Sequence, residues 1–421
     1  MKTKTRYLAL ILLASVLLMI LQFVSFFQLE TIGQDDQITS WGLERTRARR
    51  SSGLGWLNFS MLRRFQSFFS SRQILPPQNL ELFVMRNEKM HRKNFKNDCQ
   101  IDYNCTVFYR SQMHSYNFSR FDAIAVVGRS SFSILESHWL SHPWYRSPNQ
   151  IWLAVSLESS NHLETVSKHH NFNSAFNWTG ALSRKATLER SYTNFYRRSE
   201  PVRLRDVSAE LDTWNKTLPF CWMVSNCRSA PSGRMQIVSE LIKYLKYPLH
   251  MWGKAANICM SNDLKGKIIN HGAVPNSKGN LAGDLLRQDT IKQCKVYFAL
   301  ENSICTDYIS EKFSNALMTF SVPLVLGFRS SYDRKMPGSF IHLNDFKNIS
   351  MLAEHLHDLV ESKDRLLKYH EWRKEFYISD AKRNESFECQ FCRKVYEARL
   401  NQKPLVIPDL KQTFRKIQTC A

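Results

Sequence analysis

Residues 296–327 constrain the fold more than any other stretch, because they read strand, turn, helix and strand in one continuous run. Residues 296–300 and 322–326 are apolar enough to lie buried on both faces of a parallel sheet. Between them, 308–320 carries apolar residues at 309, 313, 316, 317 and 320, near helical spacing, with Thr306 or Asp307 as the expected N-cap. The segment is a βαβ unit. Residues 121–127, 151–157 and 218–224 are further candidate strands, and 235–245 is a second helix with apolar residues at 237, 238, 241, 242 and 245. Such alternation predicts an α/β protein with two Rossmann-like domains meeting near 213–218.

The start of the chain predicts its compartment. Residues 7–27 contain no charged side chain and are long enough as a helix to cross a bilayer core of roughly 30 Å. Lys2, Lys4 and Arg6 precede the run and Glu30, Asp35 and Asp36 follow it, which places the short N-terminus in the cytosol and the rest across the membrane. An uncleaved signal anchor fits better than a cleaved signal peptide, because the run is long and no clear A-x-A-like site follows. The expected organisation is a cytosolic tail (1–6), a transmembrane signal anchor (7–27), a stem (28–75), Rossmann-like domains at 76–215 and 216–385, and a Cys-containing segment at 386–421.

That topology demands lumenal chemistry on the far side. N-x-S/T acceptors begin at Asn58, Asn104, Asn117, Asn177, Asn215, Asn348 and Asn384. All 10 cysteines lie beyond residue 98, with Cys99, Cys105, Cys389 and Cys392 as disulfide candidates. The C-x-x-C at Cys389 and Cys392 lacks obvious further zinc ligands nearby, so structural disulfides are the preferred reading. A net charge of +21 would attract polyanions, but a lumenal chain makes nucleic acid an unsuitable partner and leaves membrane surfaces and phosphorylated small molecules.

In open parallel sheets ligands bind beyond the carboxyl ends of strands. Glu158 follows 151–157, Ser225 and Asn226 follow 218–224, and Glu301 and Asn302 follow 296–300. On the helix, Tyr308, Glu311, Lys312 and Asn315 share one face. An ordinary amphipathic helix also has a polar face, but this one begins in the first turn, where the dipole and free N–H groups favour an anion. Arg234 stands at a second helix start, where a diphosphate is the functional reading and an exposed surface arginine the bland one. Neither a G-x-G-x-x-G after a strand nor a P-loop is present, and no D-x-D pair offers a metal-held diphosphate. No cofactor is called for, and Arg and Lys must carry any phosphate charge.

The run Val296-Tyr297-Phe298-Ala299-Leu300-Glu301-Asn302-Ser303 resembles the hallmark of the α1,3/4-fucosyltransferase family. So do Asp307-Tyr308-Ile309-Ser310-Glu311-Lys312, Asn315-Ala316-Leu317 and Val322-Pro323-Leu324-Val325-Leu326-Gly327. Further similarity lies at Phe176-Asn177-Trp178-Thr179, at Val224-Ser225-Asn226 with Arg234, at Ser339-Phe340-Ile341-His342 with Asp345-Phe346, at Trp372-Arg373, and at Cys389 and Cys392. The resemblance covers roughly 80–400. It implies a glycosyltransferase-B type fold in a single-pass type II Golgi membrane protein with a lumenal catalytic part. The first Rossmann-like domain would receive a glycan acceptor and the second would bind GDP-fucose. By resemblance Glu158 is the general base, and Arg234, Ser225, Asn226, Asn302, Tyr308, Glu311 and Lys312 surround the donor. Arg234 and Lys312 are expected at the diphosphate and Glu311 at the ribose or fucose. The implied reaction is inverting transfer of L-fucose to a hydroxyl such as O3 of N-acetylglucosamine, with a catalytically inactive Golgi glycan-binding protein as the alternative. The chain departs from the family's E-S-P at Glu158-Ser159-Ser160 and follows its Y-R-x-D-S-D pattern only loosely after Thr179.

Overall fold

The computed structural model describes residues 78–421 except 87–90, 111–117, 129–130, 134, 136–148, 163–171, 173, 193, 208–212, 229, 254–259, 261–263, 265, 274–280, 380–385 and 401–404. The apolar run 7–27, the stem 28–75 and the acceptors Asn58, Asn117 and Asn384 lie outside the described residues. Among the described residues no helix is long and apolar enough to cross a membrane.

The first part of the chain supplies β1 (Asn79–Met85), β2 (His91–Asn94), α1 (Lys96–Cys99), β3 (Asn104–Arg110), β4 (Ala123–Val127), β5 (Ile151–Val155), β6 (Trp178–Ala181) and β7 (Leu188–Glu189). After β8 (Asn194–Arg197) come β9 (Leu218–Met223), α2 (Arg234–Tyr244), β10 (Leu249–Trp252), β11 (Ile268–Asn270), α3 (Leu281–Lys292) and β12 (Cys294–Leu300). Then follow α4 (Glu311–Met318), β13 (Val322–Leu326), α5 (Arg329–Lys335), β14 (Ile341–His342), α6 (Ile349–Glu361) and α7 (Lys363–Lys368). The chain closes with β15 (Phe376–Ser379), α8 (Phe387–Leu400) and α9 (Leu410–Ile417).

These strands form two large sheets and a two-stranded antiparallel one, β8 with β15, within one compact unit, Gln73–Ala421. The first runs β2-β3-β1-β4-β5-β6-β7 and is parallel except for β2, and the second runs β11-β10-β9-β12-β13-β14 and is parallel throughout. Apolar character without alternation is explained by burial on both faces. Phe220 and Trp222 of β9 and Val296, Phe298 and Leu300 of β12 pack with α2 and α6 on one side. Cys221, Met223, Tyr297 and Ala299, the residues between them, pack with α4 and α5 on the other.

Two expectations need correction. The N-cap of α4 is Ser310 and not Thr306 or Asp307. Asp307 has a left-handed backbone with φ of 59°, and its carboxylate is engaged by Arg334 and the Ser183 hydroxyl, so it cannot cap. Tyr308 therefore sits before the helix and not on its polar face. Asn177 is the second case: it is 6% exposed, and its Oδ1 accepts from Trp152 N at 3.0 Å, which leaves no path for a glycan on the folded chain. Asn104, Asn215 and Asn348 are exposed.

Helices α8 and α9 pack against the first sheet. Phe387, Phe391 and Val395 of α8 pack with Leu80, Val107 and Leu153, while Leu410, Phe414 and Ile417 of α9 pack with Phe83, Trp152 and Phe176 on the opposite face. Cys99 pairs with Cys389 and Cys105 with Cys392, fastening α8 across sequence separations of 290 and 287. Either bridge alone closes nearly the same long loop, so the second adds only the entropy of a small ring. Replacing Cys105 and Cys392 by Ala is expected to cost about 2–3 kcal/mol. Removing both bridges is expected to cost more than the sum of the single removals, as read by thermal or urea unfolding.

Candidate active site

Connections in the second sheet step outward from β9 to β10 and β11, then resume from β12 in the other direction, so β9 and β12 flank a topological switch point. A crevice opens there because the loops leaving the two strands diverge. Loops after β4 and β5 of the first sheet meet the same opening. The resulting cleft holds about 690 Å3 and is lined by Glu158, Ser225, Asn226, Arg234, Asn302, Tyr308, Glu311 and Lys312, so every residue expected at the donor or as base faces one space.

The loops are tied to one another before any ligand arrives. Ser232 N donates to Asn302 O at 3.1 Å, and the Ser232 hydroxyl donates to Glu301 O at 2.7 Å. The Arg234 guanidinium donates to Leu300 O at 2.8 Å and Asn226 O at 2.7 Å. At 3% exposure its acidity is raised by burial, an effect opposed by Glu301. It therefore supplies a fixed positive field at the switch point while pinning both strand ends. Tyr308 Oη donates to Asn302 Oδ1 at 3.1 Å, and burial pushes the phenol pKa upward, keeping it a neutral donor.

Glu301 anchors the cationic centre. It has no exposed surface, and its carboxylate accepts from Ser310 N at 2.7 Å, Ser310 Oγ at 2.9 Å and Lys312 Nζ at 3.2 Å. Lys312 also reaches Ser310 Oγ at 2.8 Å and Glu311 Oε1 at 3.2 Å. Burial works against the ammonium, but Glu301 and Glu311 outweigh it and hold its pKa well above the usual lysine value. Burial likewise works against the Glu311 carboxylate, yet Lys312 and the N–H groups at the helix start hold it below the usual range.

Glu158 stands opposite, exposed on the loop after β5, with its N–H donating to Ser156 Oγ at 3.3 Å. Just beyond it, the buried Ser159 hydroxyl donates to Ser303 Oγ at 2.9 Å, and His162 Nδ1 lies 2.9 Å from Ser159 Oγ and 3.2 Å from Ser303 Oγ. These three side chains join the loop bearing Glu158 to the loop that follows β12. Sequence reasoning missed His162, Tyr192, Arg287 and Tyr297, which also line the cleft. Tyr297 and Arg287 lie inside regular elements, where nothing in the local sequence marks them. The Trp372–Arg373 pair lies elsewhere: Arg373 is pushed down to about 9 by burial and donates to Leu317 O, closing the end of α4.

Among the described residues no group of three or more His, Cys, Asp or Glu side chains is placed to hold a metal ion. Gly253, with φ of 111°, abuts the Ser225 loop: a Cβ there would lie 2.2 Å from Val224 O. Gly253→Ala is expected to displace that loop and cost about 2–3 kcal/mol, measured by thermal unfolding.

Residues 213–413 match the family described as glycosyltransferase family 10 (fucosyltransferase) C-term. The 4-galactosyl-N-acetylglucosaminide 3-alpha-L-fucosyltransferase 9 of Mus musculus is 31% identical over 249 residues, 59% of this chain and 60% of that protein. The alpha-(1,3)-fucosyltransferase fut-5 of Caenorhabditis elegans is 28% identical over 257 residues, 60% of this chain and 61% of that protein. The chain thus matches about three fifths of the length of these curated relatives. A crystal structure of an α1,3-fucosyltransferase with GDP aligns with a TM-score of 0.43 and 16% identity, covering 78% of this chain and 92% of that one. The family match spans residues 213–413, which carry the second sheet and the cationic side of the cleft.

Proposed function

We propose that the chain is an α1,3-fucosyltransferase of glycosyltransferase-B type, which transfers L-fucose from GDP-fucose with inversion to O3 of an N-acetylglucosamine residue in a glycoprotein glycan. The observation that carries this reading is that an exposed carboxylate on one sheet's loops faces a preassembled cationic centre on the other's, across one cleft. The acceptor hydroxyl gives its proton to Glu158 as its oxygen attacks the anomeric carbon from the face opposite GDP. Bond breaking leaves negative charge on the departing diphosphate. Lys312 and Arg234, already held in place, stabilise that charge without reorganisation, aided by the N-terminus of α4. Glu311 and Tyr308, at the same helix start, suit the sugar hydroxyls of the donor.

The N-terminal run 7–27 serves in this reading as a Golgi signal anchor, with the folded part lumenal, where the disulfides persist. The partners are GDP-fucose, a glycan acceptor and the membrane, without nucleic acid. The decisive experiment incubates the full chain in detergent with GDP-fucose and a panel of defined glycans. The new linkage is then located by mass spectrometry and glycosidase digestion. Fucose on O3 of N-acetylglucosamine is the expected result; donor binding with no release of GDP in the presence of any acceptor would sink the reading.

A further inference from the structure

We infer that Gln418 and Cys420 are positioning residues, which set the loop bearing Glu158 in register with the loop bearing Asn302 and Tyr308. This rests on the proposed transfer reaction only for its kinetic readout. The residues after α9 run between the two loops and bond to both. Toward the first sheet, Ser160 N donates to Gln418 Oε1 at 2.9 Å, Ser160 Oγ donates to Gln418 O at 2.6 Å, and Ser183 Oγ donates to Ile417 O at 2.7 Å. Toward the second sheet, Thr306 N donates to Thr419 O at 2.8 Å, Thr419 N to Thr306 Oγ1 at 3.0 Å, and Ala421 N to Ile304 O at 2.9 Å. A disulfide between Cys305 and Cys420 makes that second attachment covalent.

Placement gives these bonds their consequence. Ser160 lies two positions after Glu158, and Cys305 lies midway between Asn302 and Tyr308. Gln418 is 3% exposed, and its Nε2 is buried without a hydrogen-bond partner, an arrangement whose cost the Ser160 contact must outweigh. An anchored tail therefore fixes the distance from base to donor. The helix before it, α9, is held in the first sheet's core by Leu410, Phe414 and Ile417, so the tail has one end packed and the other cross-linked.

The test compares the full chain in detergent with Gln418→Met, which keeps the shape and loses the acceptor, Gln418→Glu, which keeps an acceptor, and the double variant Cys305→Ser with Cys420→Ser. Gln418→Met and the cysteine pair are expected to lower kcat about tenfold, with KM for GDP-fucose and Kd for GDP within about twofold. Gln418→Glu is expected to recover most of the turnover. Hydrogen exchange over 156–162 should quicken in the two impaired proteins while exchange in β9 and β12 stays unchanged. Unaltered exchange over 156–162 in both would overturn the inference, as would parallel loss of GDP binding and of protection throughout the second sheet. If the unmodified chain transfers no fucose but exchange still responds as stated, the positioning role stands and the proposed reaction fails.

Discussion

Glu158→Gln is expected to lower turnover by about 10²–10⁴-fold while leaving GDP affinity within about twofold. The substitution keeps the size of the side chain and removes its basicity, so it separates proton abstraction from packing. Binding should survive because the donor-side contacts belong to other loops: Arg234 is fixed by Leu300 O and Asn226 O, and Lys312 by Glu301, Ser310 and Glu311. Glu158 shares none of those partners, its recorded bond being from its own N–H to Ser156 Oγ. Steady-state kinetics with a defined acceptor, together with titration by GDP, provide the measurement. Turnover near that of the unmodified chain would remove Glu158 from the role of base and direct attention to His162, the nearby cleft residue that could also take a proton.

Strands β9, β12 and β13 of the second sheet were legible because they are buried on both faces and read as short apolar runs. Residues 322–326 coincide with β13, while 218–224 and 296–300 fall within a residue or two of β9 and β12. Strands β1, β3 and β10 were not recognised, since Glu81, Arg110 and His250 interrupt their apolar runs or end them in charge. The cap of α4 was misplaced for a different reason. Thr306, Asp307 and Ser310 are all suitable capping residues, and the choice is made by Glu301, a buried carboxylate nine positions upstream that takes Ser310 N and Oγ together. No local pattern encodes such a contact. The sequon at Asn177 failed in the same way, because N-W-T is a valid acceptor until the tertiary fold turns its amide inward. Site residues that directly follow strands were found, whereas His162, Tyr192 and Arg287 reach the cleft from segments whose position depends on how the two sheets' loops meet.

Lys312→Met should be the most damaging change on the donor side, because it removes the cation proposed to meet the diphosphate and uncovers a buried anion together. Glu301, with no exposed surface, would keep only the Ser310 N–H and hydroxyl, and Glu311 would lose its ion partner. Breaking a buried pair in this manner costs about 3–5 kcal/mol. Turnover is expected to fall by about 10²–10³-fold on loss of the charge aimed at the leaving diphosphate. The pH dependence identifies the cause. In the unmodified chain Lys312 is held above its ordinary value of 10.5, so its pairing contributes stability fully below that value and loses it as pH rises through the folded one. Glu311 is held below its ordinary 4.5, so its share is present above that value and lost as pH falls through the folded one. Stability from this network should therefore be flat between about 4.5 and 10.5. In Lys312→Met the share that Lys312 lends Glu311 is absent at every pH, so the gap between the two proteins should narrow as pH falls below about 4.5. Urea unfolding of both proteins at neutral pH and below that value measures the difference. A gap that stays constant would mean that Glu311 does not draw its stability from Lys312, and that the cationic centre is assembled some other way.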